Sequence, residues 1–196
     1  MRSFGLTLTL LAFLVVGCAP RNVDFFPYTD DGVRKPHVAL LPVFVEGCED
    51  LPPAASERIT RGINFEVMQN GRLYFHSQEA VQSDMNRMGN VNYFGKDLRF
   101  AKEFCDTDYV VVMELIGHQI QQRACRAMLE MTLRIRVIDV RCEEPVIALQ
   151  EIVTCSQIVP QDKEYLETNQ RICAAAHDQL VREITNRLEK AIRSVH

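Results

Sequence analysis

The sequence predicts an α/β domain of the α+β sandwich type. A short buried N-terminal strand and helices should precede a long antiparallel meander of three strands and a long C-terminal helix packed on the sheet. Residues 38–41 form a continuous apolar run that ends at Pro42, the pattern of a strand covered on both faces. Residues 109–120, 128–141 and 146–154 have strand patterns, and within residues 129–137 apolar side chains recur at every second position, which indicates a strand with one buried face. From about residue 161 they recur at spacings of three and four, as on one side of a helix.

The first half of the chain alternates helical patterns with one more short strand. A Pro-Pro pair and an Asn-Gly pair bound residues 54–69, where an apolar side chain recurs at every fourth position, so a helix is expected there. Residues 73–75 predict a strand, and Ser77 is a favoured N-cap for a second helix that ends at the next glycine. A third, short helix is expected over residues 97–104. The Gly- and Asn-rich loop at residues 89–96 is the best candidate for a mobile surface.

The second half predicts long strands. Residues 109–120 and 128–141 are each about a dozen residues long, which exceeds the usual strand length. In the second segment, aliphatic side chains alternate with Glu, Thr and Arg, so one face should be buried and the other solvated. Residues 146–154 follow a Glu-Glu-Pro turn. The three strands should therefore form an antiparallel meander, with the C-terminal helix against its buried face.

The N-terminus has the three parts of an export signal. Arg2 supplies a positive charge, residues 4–16 form an apolar run, and small Gly17 precedes Cys18. The apolar run is shorter than the roughly 20 residues that a membrane-spanning helix needs. Val15-Val16-Gly17-Cys18 resembles the bacterial lipobox, which implies cleavage before Cys18 and attachment of diacylglycerol to its thiol. An ordinary secretory signal with a chance cysteine is the alternative.

The chain is therefore expected to contain a lipoprotein signal peptide at residues 1–17, a lipidated cysteine and tether at residues 18–36, and a single globular α/β domain at residues 37–196. The tether is rich in Pro and Asp and lacks a helical period. With 47% hydrophobic residues, the domain can bury one core. Ala19 stands where lipoproteins retained in the inner membrane have Asp. Resemblance to sorted lipoproteins therefore implies the outer membrane, with the domain on the periplasmic side.

The charge of the chain argues against nucleic acid as a partner. Removing residues 1–17 takes away one of the 22 Lys and Arg and none of the 26 Asp and Glu, so the net charge of −4 becomes −5. The basic residues are also scattered among acidic ones and are not concentrated on one segment. The expected partners are the membrane, through the lipid anchor, and another envelope protein.

Six cysteines follow Cys18, and in an exported protein an even number suggests disulfides. These cysteines are Cys48, Cys105, Cys125, Cys142, Cys155 and Cys173. The register of a hairpin between the first two long strands places Cys105 opposite Cys142, just beyond the strand ends, and we expect this pair to bond; two free thiols are the alternative. Cys155 with Cys173 is a second candidate pair. No two cysteines have C-x-x-C spacing, so neither a redox motif nor a thiolate metal site is expected.

No cofactor, metal, small-molecule substrate or catalytic residue is predicted. The sequence has no nucleophile elbow, P-loop, dinucleotide-binding motif or zinc-protease motif, and no two histidines have metal-ligand spacing. His118 is the residue that an unrecognised hydrolase would be expected to use. Glu114 lies within an apolar run, so it is either on a polar sheet face or in a buried pair. Arg134 and Arg136 line the polar face of a strand, which is usually solvated but can also serve as a docking surface.

Three segments resemble one superfamily of envelope proteins. Residues 38–44 (VALLPVF) resemble its apolar first strand, residues 104–112 (FCDTDYVVV) its helix end, small turn and buried strand, and residues 133–140 (LRIRVIDV) its long strand before a turn. The superfamily includes LpoB-type activators of penicillin-binding proteins, the curli secretion lipoprotein CsgG and the TolB N-terminal domain. The resemblance covers residues 37–196 and implies an α/β sandwich built for protein contacts, without cofactor or catalytic residues.

The expected function is that of a non-enzymatic outer-membrane lipoprotein whose periplasmic domain binds another envelope protein. Its process would be envelope assembly or the regulation of peptidoglycan synthases. The alternative is a structural, oligomeric subunit of an envelope export complex. A partner that docks on the loop at residues 89–96 or on the face with Arg134 and Arg136 favours the first function, and an oligomer that persists on dilution favours the second.

Overall fold

A six-stranded sheet organises the residues that the computed structural model describes, which are 27–45, 53–123, 126–160 and 165–194. Its strands are β1 (His37–Leu40), β2 (Phe44–Val45), β3 (Tyr74–Phe75), β4 (Tyr109–Arg123), β5 (Arg126–Asp139) and β6 (Val146–Pro160). Within the same residues the helices are α1 (Pro53–Asn70), α2 (Gln78–Met88), a 3₁₀ helix at Arg99–Glu103 and α3 (Tyr165–Ser194). The predicted α/β fold, with its short N-terminal strand, its meander and its C-terminal helix, is confirmed.

The strand order is β3-β1-β4-β5-β6, and β2 runs beside β4 just past the end of β1. β1 is parallel to both of its neighbours. β4, β5 and β6 form the antiparallel meander that the alternating pattern predicts. These strands contain 15, 14 and 15 residues, and the first and third are longer than predicted. The first hairpin turn is tighter than expected, because pairing continues as far as Arg123 opposite Arg126.

Pro42 follows β1, and side chains of α1 bind the backbone of the next residue. The Val43 N–H donates to Thr60 Oγ1 at 3.1 Å, and the Ser56 hydroxyl donates to the Val43 carbonyl at 2.6 Å. Proline cannot donate within a ladder, so the chain leaves the strand at this point. The two hydroxyls satisfy buried backbone groups that would otherwise lack a partner. They also fix α1 against the end of β1.

One face of the sheet packs against α1 and α3. Ile63 of α1, Ile184 of α3 and Leu133 of β5 are fully buried in the same apolar cluster. Burying each such side chain stabilises the fold by roughly 1.5–3 kcal/mol. A Cβ at Gly62 would lie 2.8 Å from Val181 Cγ2, so glycine allows the two helices to approach closely. The apolar stripe predicted for the C-terminal helix is buried at Leu180, Ile184, Leu188 and Ile192.

The opposite face carries a second, smaller apolar cluster. Val81 of α2 and Phe104, which follows the 3₁₀ helix, belong to this cluster together with Val110 of β4. α2 begins at the predicted cap, because Ser77 Oγ accepts a hydrogen bond from the Ala80 N–H at 3.2 Å. These elements cover only the part of the sheet where β4 begins and β5 ends. The helices therefore cover one face of the sheet more completely than the other.

The third predicted helix is a 3₁₀ helix that begins two residues later than expected. The Asp97 carboxylate binds the Arg99 guanidinium and also accepts a hydrogen bond from the Arg99 N–H at 3.1 Å. These bonds hold the chain in a turn before the helix. The side-chain hydrogen bond from Arg99, together with that from its N–H, lowers the pKa of Asp97 to about 2.

The N-terminal segment contacts the domain before the boundary predicted at residue 37. The Arg34 guanidinium binds the carboxylates of Asp106 and Asp108, each at 2.8 Å, and Lys35 is buried. The end of the predicted tether is therefore fixed to the sheet near the start of β4. Cys18 and the signal segment lie outside the described residues. Among the residues that are described, no helix is long and apolar enough to cross a membrane.

Candidate protein-binding face

Part of one sheet face has no helix over it in the described part of the chain. Val110 and Val112 of β4 are fully buried in the smaller apolar cluster. Two residues further along β4, the same face carries Glu114. Glu114 pairs with Arg134 of β5, and Arg134 pairs in turn with Ile152 of β6, so the three residues form one row across the sheet. We call the partly or fully exposed surface that extends from this row to the far ends of the strands the open face. It includes Gln119, Glu130, Thr132, Arg134, Ile152, Thr154, Ser156 and Ile158.

A buried ion pair lies at the inner border of the open face. Glu114 is 3% exposed, and its carboxylate accepts a hydrogen bond from Arg134 Nε at 2.7 Å and another from Arg134 Nη2. The Arg134 guanidinium also lies over the Phe94 ring, 4.6 Å from its centroid. Of the two alternatives for Glu114, the buried pair is the one observed. Because the pair is neutral overall, Arg134 adds little net charge to the open face.

Arg136, the second arginine of the predicted docking row, is buried. Its guanidinium donates to the Gly95 carbonyl at 2.8 Å, to the Phe94 carbonyl at 3.1 Å and to Gln150 Oε1 at 2.9 Å. Burial lowers the pKa of Arg136, and the charge of Arg134 lowers it further. With 7% of its surface exposed, Arg136 cannot present its charge to a partner. Its role as a docking residue is therefore corrected: Arg136 holds the Gly- and Asn-rich loop against the sheet.

Aromatic side chains fix the same loop. The Tyr93 ring stacks on Phe44 of β2 with centroids 5.1 Å apart, and it meets the Phe100 ring edge-on at 5.2 Å. Tyr93 is itself 9% exposed. The loop at residues 89–96, predicted as a mobile surface, is thus anchored at its centre by stacking and by Arg136. It forms a rigid border beside the open face.

The most exposed side chains of the open face belong to β6 and are uncharged and partly apolar. Ile152 is 62% exposed and Ile158 is 55% exposed. Between them lies Thr154, whose hydroxyl is 3.2 Å from Thr132 Oγ1 on β5. A Cβ at Gly117 would lie 3.3 Å from Thr132 Cβ, so glycine allows β4 and β5 to stay close there. An apolar row on a solvent-facing sheet is a feature of protein-interaction surfaces.

Two of the described cysteines, Cys105 and Cys142, lie away from the open face. Cys105 and Cys142 are both exposed and are free thiols in the structure. The ladder between β4 and β5 is extended towards them by a hydrogen bond from the Val140 N–H to the Asp108 carbonyl, at 3.0 Å. The expected bridge is therefore not formed. Tyr109 pairs with Asp139, whereas the predicted register would pair it with Ile138, so the observed register is shifted by one residue. The pairing of Cys105 with Cys142 stays a prediction for the oxidised protein.

The second predicted pair, Cys155 with Cys173, is also not formed. Cys155 is a free thiol with 6% of its surface exposed, in the cluster between the sheet and the helices. Burial raises the pKa of the Cys155 thiol, and the nearby Glu183 carboxylate raises it further. The side chain of Cys173, together with Cys48 and Cys125, lies outside what the structure describes.

Two of the histidines lie together at the opposite end of β4 from the open face. The rings of His37 and His76 are 5.6 Å apart, and each has a nitrogen within hydrogen-bond distance of the Asp106 carbonyl, at 3.0 and 3.1 Å. Burial lowers the pKa of His76. His118 lies in β4 opposite Met131, whose side chain packs on the helix-covered face. Within the described ranges, no group of three His, Cys, Asp or Glu side chains could hold a metal ion.

The predictions from the sequence do not include Ile152 and Ile158 as surface residues, although the sequence contains a signal for their exposure. They stand at positions that alternate with the buried Val153 and Cys155, so β6 carries apolar side chains on both faces. A strand with one solvated face normally alternates apolar with polar residues. The departure of β6 from that alternation therefore indicates the open face. The predicted arginines of β5 do not, because Arg134 and Arg136 bind groups within the domain.

Comparisons with solved structures support the fold. The chain is similar to the hypothetical protein CT253 from Chlamydia trachomatis, with a TM-score of 0.62 and 20% identity over 81% of this chain and 98% of that one. It is also similar to XCC0632 from Xanthomonas campestris, with a TM-score of 0.56 and 6% identity over 82% and 87% of the two chains. The lipoprotein GNA1162 from Neisseria meningitidis has a TM-score of 0.47 and 10% identity over 77% and 99%, which is too distant to carry an argument.

Comparisons of the sequence show the family. No curated protein matches it. Membership in the superfamily of LpoB, CsgG and the TolB N-terminal domain stays a prediction. A family pattern matches residues 24–195, which include all of the described domain. This chain therefore belongs to a family of unknown function, DUF7499.

Proposed function

We propose that this chain is an exported lipoprotein, anchored in the outer membrane through diacylated Cys18, whose periplasmic domain binds another envelope protein and is not an enzyme. The observation that carries the proposal is the open face, where Ile152 and Ile158 are more than half exposed on an uncovered part of the sheet. The anchor is supported by the apolar N-terminal run and by the lipobox-like residues before Cys18. Each buried methylene of an acyl chain contributes about 0.8 kcal/mol, so two or three chains hold the domain at the membrane.

The chemistry of the open face supports a protein partner with a flat, uncharged surface. Glu114 neutralises Arg134 at the inner border, and Ile, Thr and Ser side chains of β6 surround the one other charged residue of the face, Glu130 of β5. A charged ligand would find few unpaired charges there, whereas apolar side chains of a partner could pack against the isoleucines. The border is held rigid by Arg136, so little conformational entropy would be lost on binding.

The position of the tether also supports binding at the membrane. Arg34 fixes the end of the tether beside Asp108, immediately before β4 begins. The open face starts at Glu114 and continues towards the other end of β4. At roughly 3.4 Å per residue, its centre lies some 30 Å from the attachment point. The face is therefore directed away from the anchor and is accessible to a second protein.

The anchor is tested by the intact mass of the protein extracted from membranes. A mass equal to residues 18–196 plus diacylglycerol, with or without a further acyl chain, is expected. The Cys18→Ser variant should lack the lipid and leave the membrane fraction. An unlipidated wild-type protein of the same processed length would make the chain a soluble secreted protein and would refute the anchored form of the proposal.

The partner site is tested by a photo-crosslinking amino acid placed at position 152 in growing cells. The matched control places it at Phe65 of α1, which is 59% exposed but lies away from the open face. We expect position 152 to crosslink one envelope protein that position 65 does not, and the Thr154→Lys substitution to abolish that product. The identity of the protein would distinguish envelope assembly from peptidoglycan synthesis. Products common to both positions, or none, would refute the proposed face.

A further inference from the structure

β6 is a long edge strand with little of the protection that edge strands normally carry. It pairs with β5 and, among the described residues, with no strand on its other side. At roughly 3.4 Å per residue, its 15 residues expose about 50 Å of unpaired backbone. Edges are usually blocked by lysines, prolines, bulges or short length. Residues 146–159 contain no lysine or proline, and the register shift of the ladder lies near the start of the strand, which leaves residues 149–160 regular.

The only charged residue of β6 is engaged within the domain. Glu151 is the single Asp, Glu, Lys or Arg between residues 146 and 160. Its carboxylate accepts a hydrogen bond from the Arg187 guanidinium of α3. Arg187 also binds Glu183 of α3, so the three side chains together carry one net negative charge, the only charge at this edge that could repel another strand among the described side chains of β6.

We propose that β6 pairs in an antiparallel manner with β6 of a second copy of this chain, about a two-fold axis at Cys155. This inference goes beyond the proposed function, since it uses the backbone edge of the sheet, although both involve Ile152 and Ile158. In an antiparallel ladder, two opposed residues direct their backbone groups either both towards the partner strand or both away from it, and a two-fold axis that passes through a residue satisfies this condition. The axis at Cys155 places residues 150–160 of the two copies opposite one another.

The exposed side chains single out this register. Ile152 of each copy lies opposite Ile158 of the other, so the two most exposed apolar side chains of β6 form two cross-strand pairs. Thr154 lies opposite Ser156 between those pairs. Cys155 is buried on the helix side of the sheet, so its thiol does not obstruct the contact.

The charges fit the same register. Glu151 of one copy lies opposite Val159 of the other, so the two Glu151 residues are eight positions apart along the ladder. That separation is roughly 27 Å, well beyond the Debye length of about 8 Å at physiological salt. The dimer would also continue the open face across the two-fold axis into one sheet of twice the width.

The test measures the association state of the purified full chain by sedimentation velocity over a range of concentrations. The wild-type chain should be a dimer. Ile152→Lys and Ile158→Glu should each raise the dimer dissociation constant by about tenfold or more, because a charge would face an isoleucine in the ladder. Gln119→Lys is the matched control. It adds the same charge to the open face, but on β4 and away from the edge, and should leave the dimer unchanged.

The double variant Ile152→Lys with Ile158→Glu tests the register itself. The introduced lysine of each copy would lie opposite the introduced glutamate of the other, so the dimer should recover relative to either single variant. A monomeric wild-type chain would overturn the proposal. It would equally be overturned by a dimer that both single variants leave intact, or by single variants whose combination is no stronger than either alone.

Discussion

Removing the buried guanidinium of Arg136 should destabilise the domain strongly. The two shortest of its bonds, to Gly95 and Gln150, measure 2.8 and 2.9 Å. Hydrogen bonds to charged groups contribute about 1.5–3 kcal/mol each, so their loss gives about 3 kcal/mol at the lower limit. Arg136→Met retains the aliphatic stem and so isolates the guanidinium. In a domain of this size, that loss lowers Tm by about 6–12 °C.

Urea unfolding followed by circular dichroism measures the loss, and amide hydrogen exchange locates it. Exchange at Tyr93–Gly95 should accelerate in Arg136→Met more than in the core strands, because these residues lose their attachment to β5. Arg136→Lys should lose most of the same stability, since one ammonium group cannot reach the acceptors that the planar guanidinium bridges. The control is Arg99→Met, which removes an arginine whose side chain is 87% exposed. If Arg136→Met unfolds at the same urea concentration as Arg99→Met, the loop is not held in the way described.

Three further outcomes follow from other parts of the structure. Arg134→Met should lower the free energy of unfolding by about 3 kcal/mol, because it leaves the buried Glu114 carboxylate unpaired; adding Glu114→Leu should recover most of that loss in the same urea assay. After oxidation, peptide mapping should show Cys105 bonded to Cys142, and reducing that bond should cost about 4 kcal/mol of stability, whereas two unmodified thiols would contradict the pairing. Burial lowers the pKa of His76, so the unfolded chain takes up its proton first as the pH falls below about 6.5. Wild-type stability should therefore decline more between pH 7 and pH 5.5 than that of His76→Gln, and equal declines would contradict this assignment.

The elements that depend on local pattern were predictable from the sequence. The alternation in residues 128–141 requires a strand, and Ser77 before an apolar repeat requires a helix start. The hairpin between β4 and β5 also followed from the strand patterns, although its register differs by one residue from the prediction, because Tyr109 pairs with Asp139 and not with Ile138. In each case the decisive interactions lie within a few residues or within one hairpin.

The features that depend on long-range packing were not predictable. Alternation correctly assigns Arg136 to the polar face of β5, but its burial depends on a loop more than 40 residues earlier in the chain. The parallel pairing of β1 with β4 is likewise determined by tertiary packing, because the sequence of neither strand specifies which strand lies beside it. For the same reason, the edge position of β6 could not be read from its apolar pattern. The candidate site lies where these long-range choices leave the sheet uncovered.

The ion pairs of Arg34 with Asp106 and Asp108 determine where a mechanical force on the N-terminal segment would act on the domain. β1 begins three residues after Arg34 and lies between β3 and β4, parallel to both. A pull on the N-terminal side of the chain would therefore act along the axis of an interior strand. Its ladder bonds would be loaded together in shear, so they could not be peeled apart one after another from an edge. Resistance to forced unfolding depends on the unfolding rate. This geometry would slow unfolding for as long as the ion pairs of Arg34 remain formed.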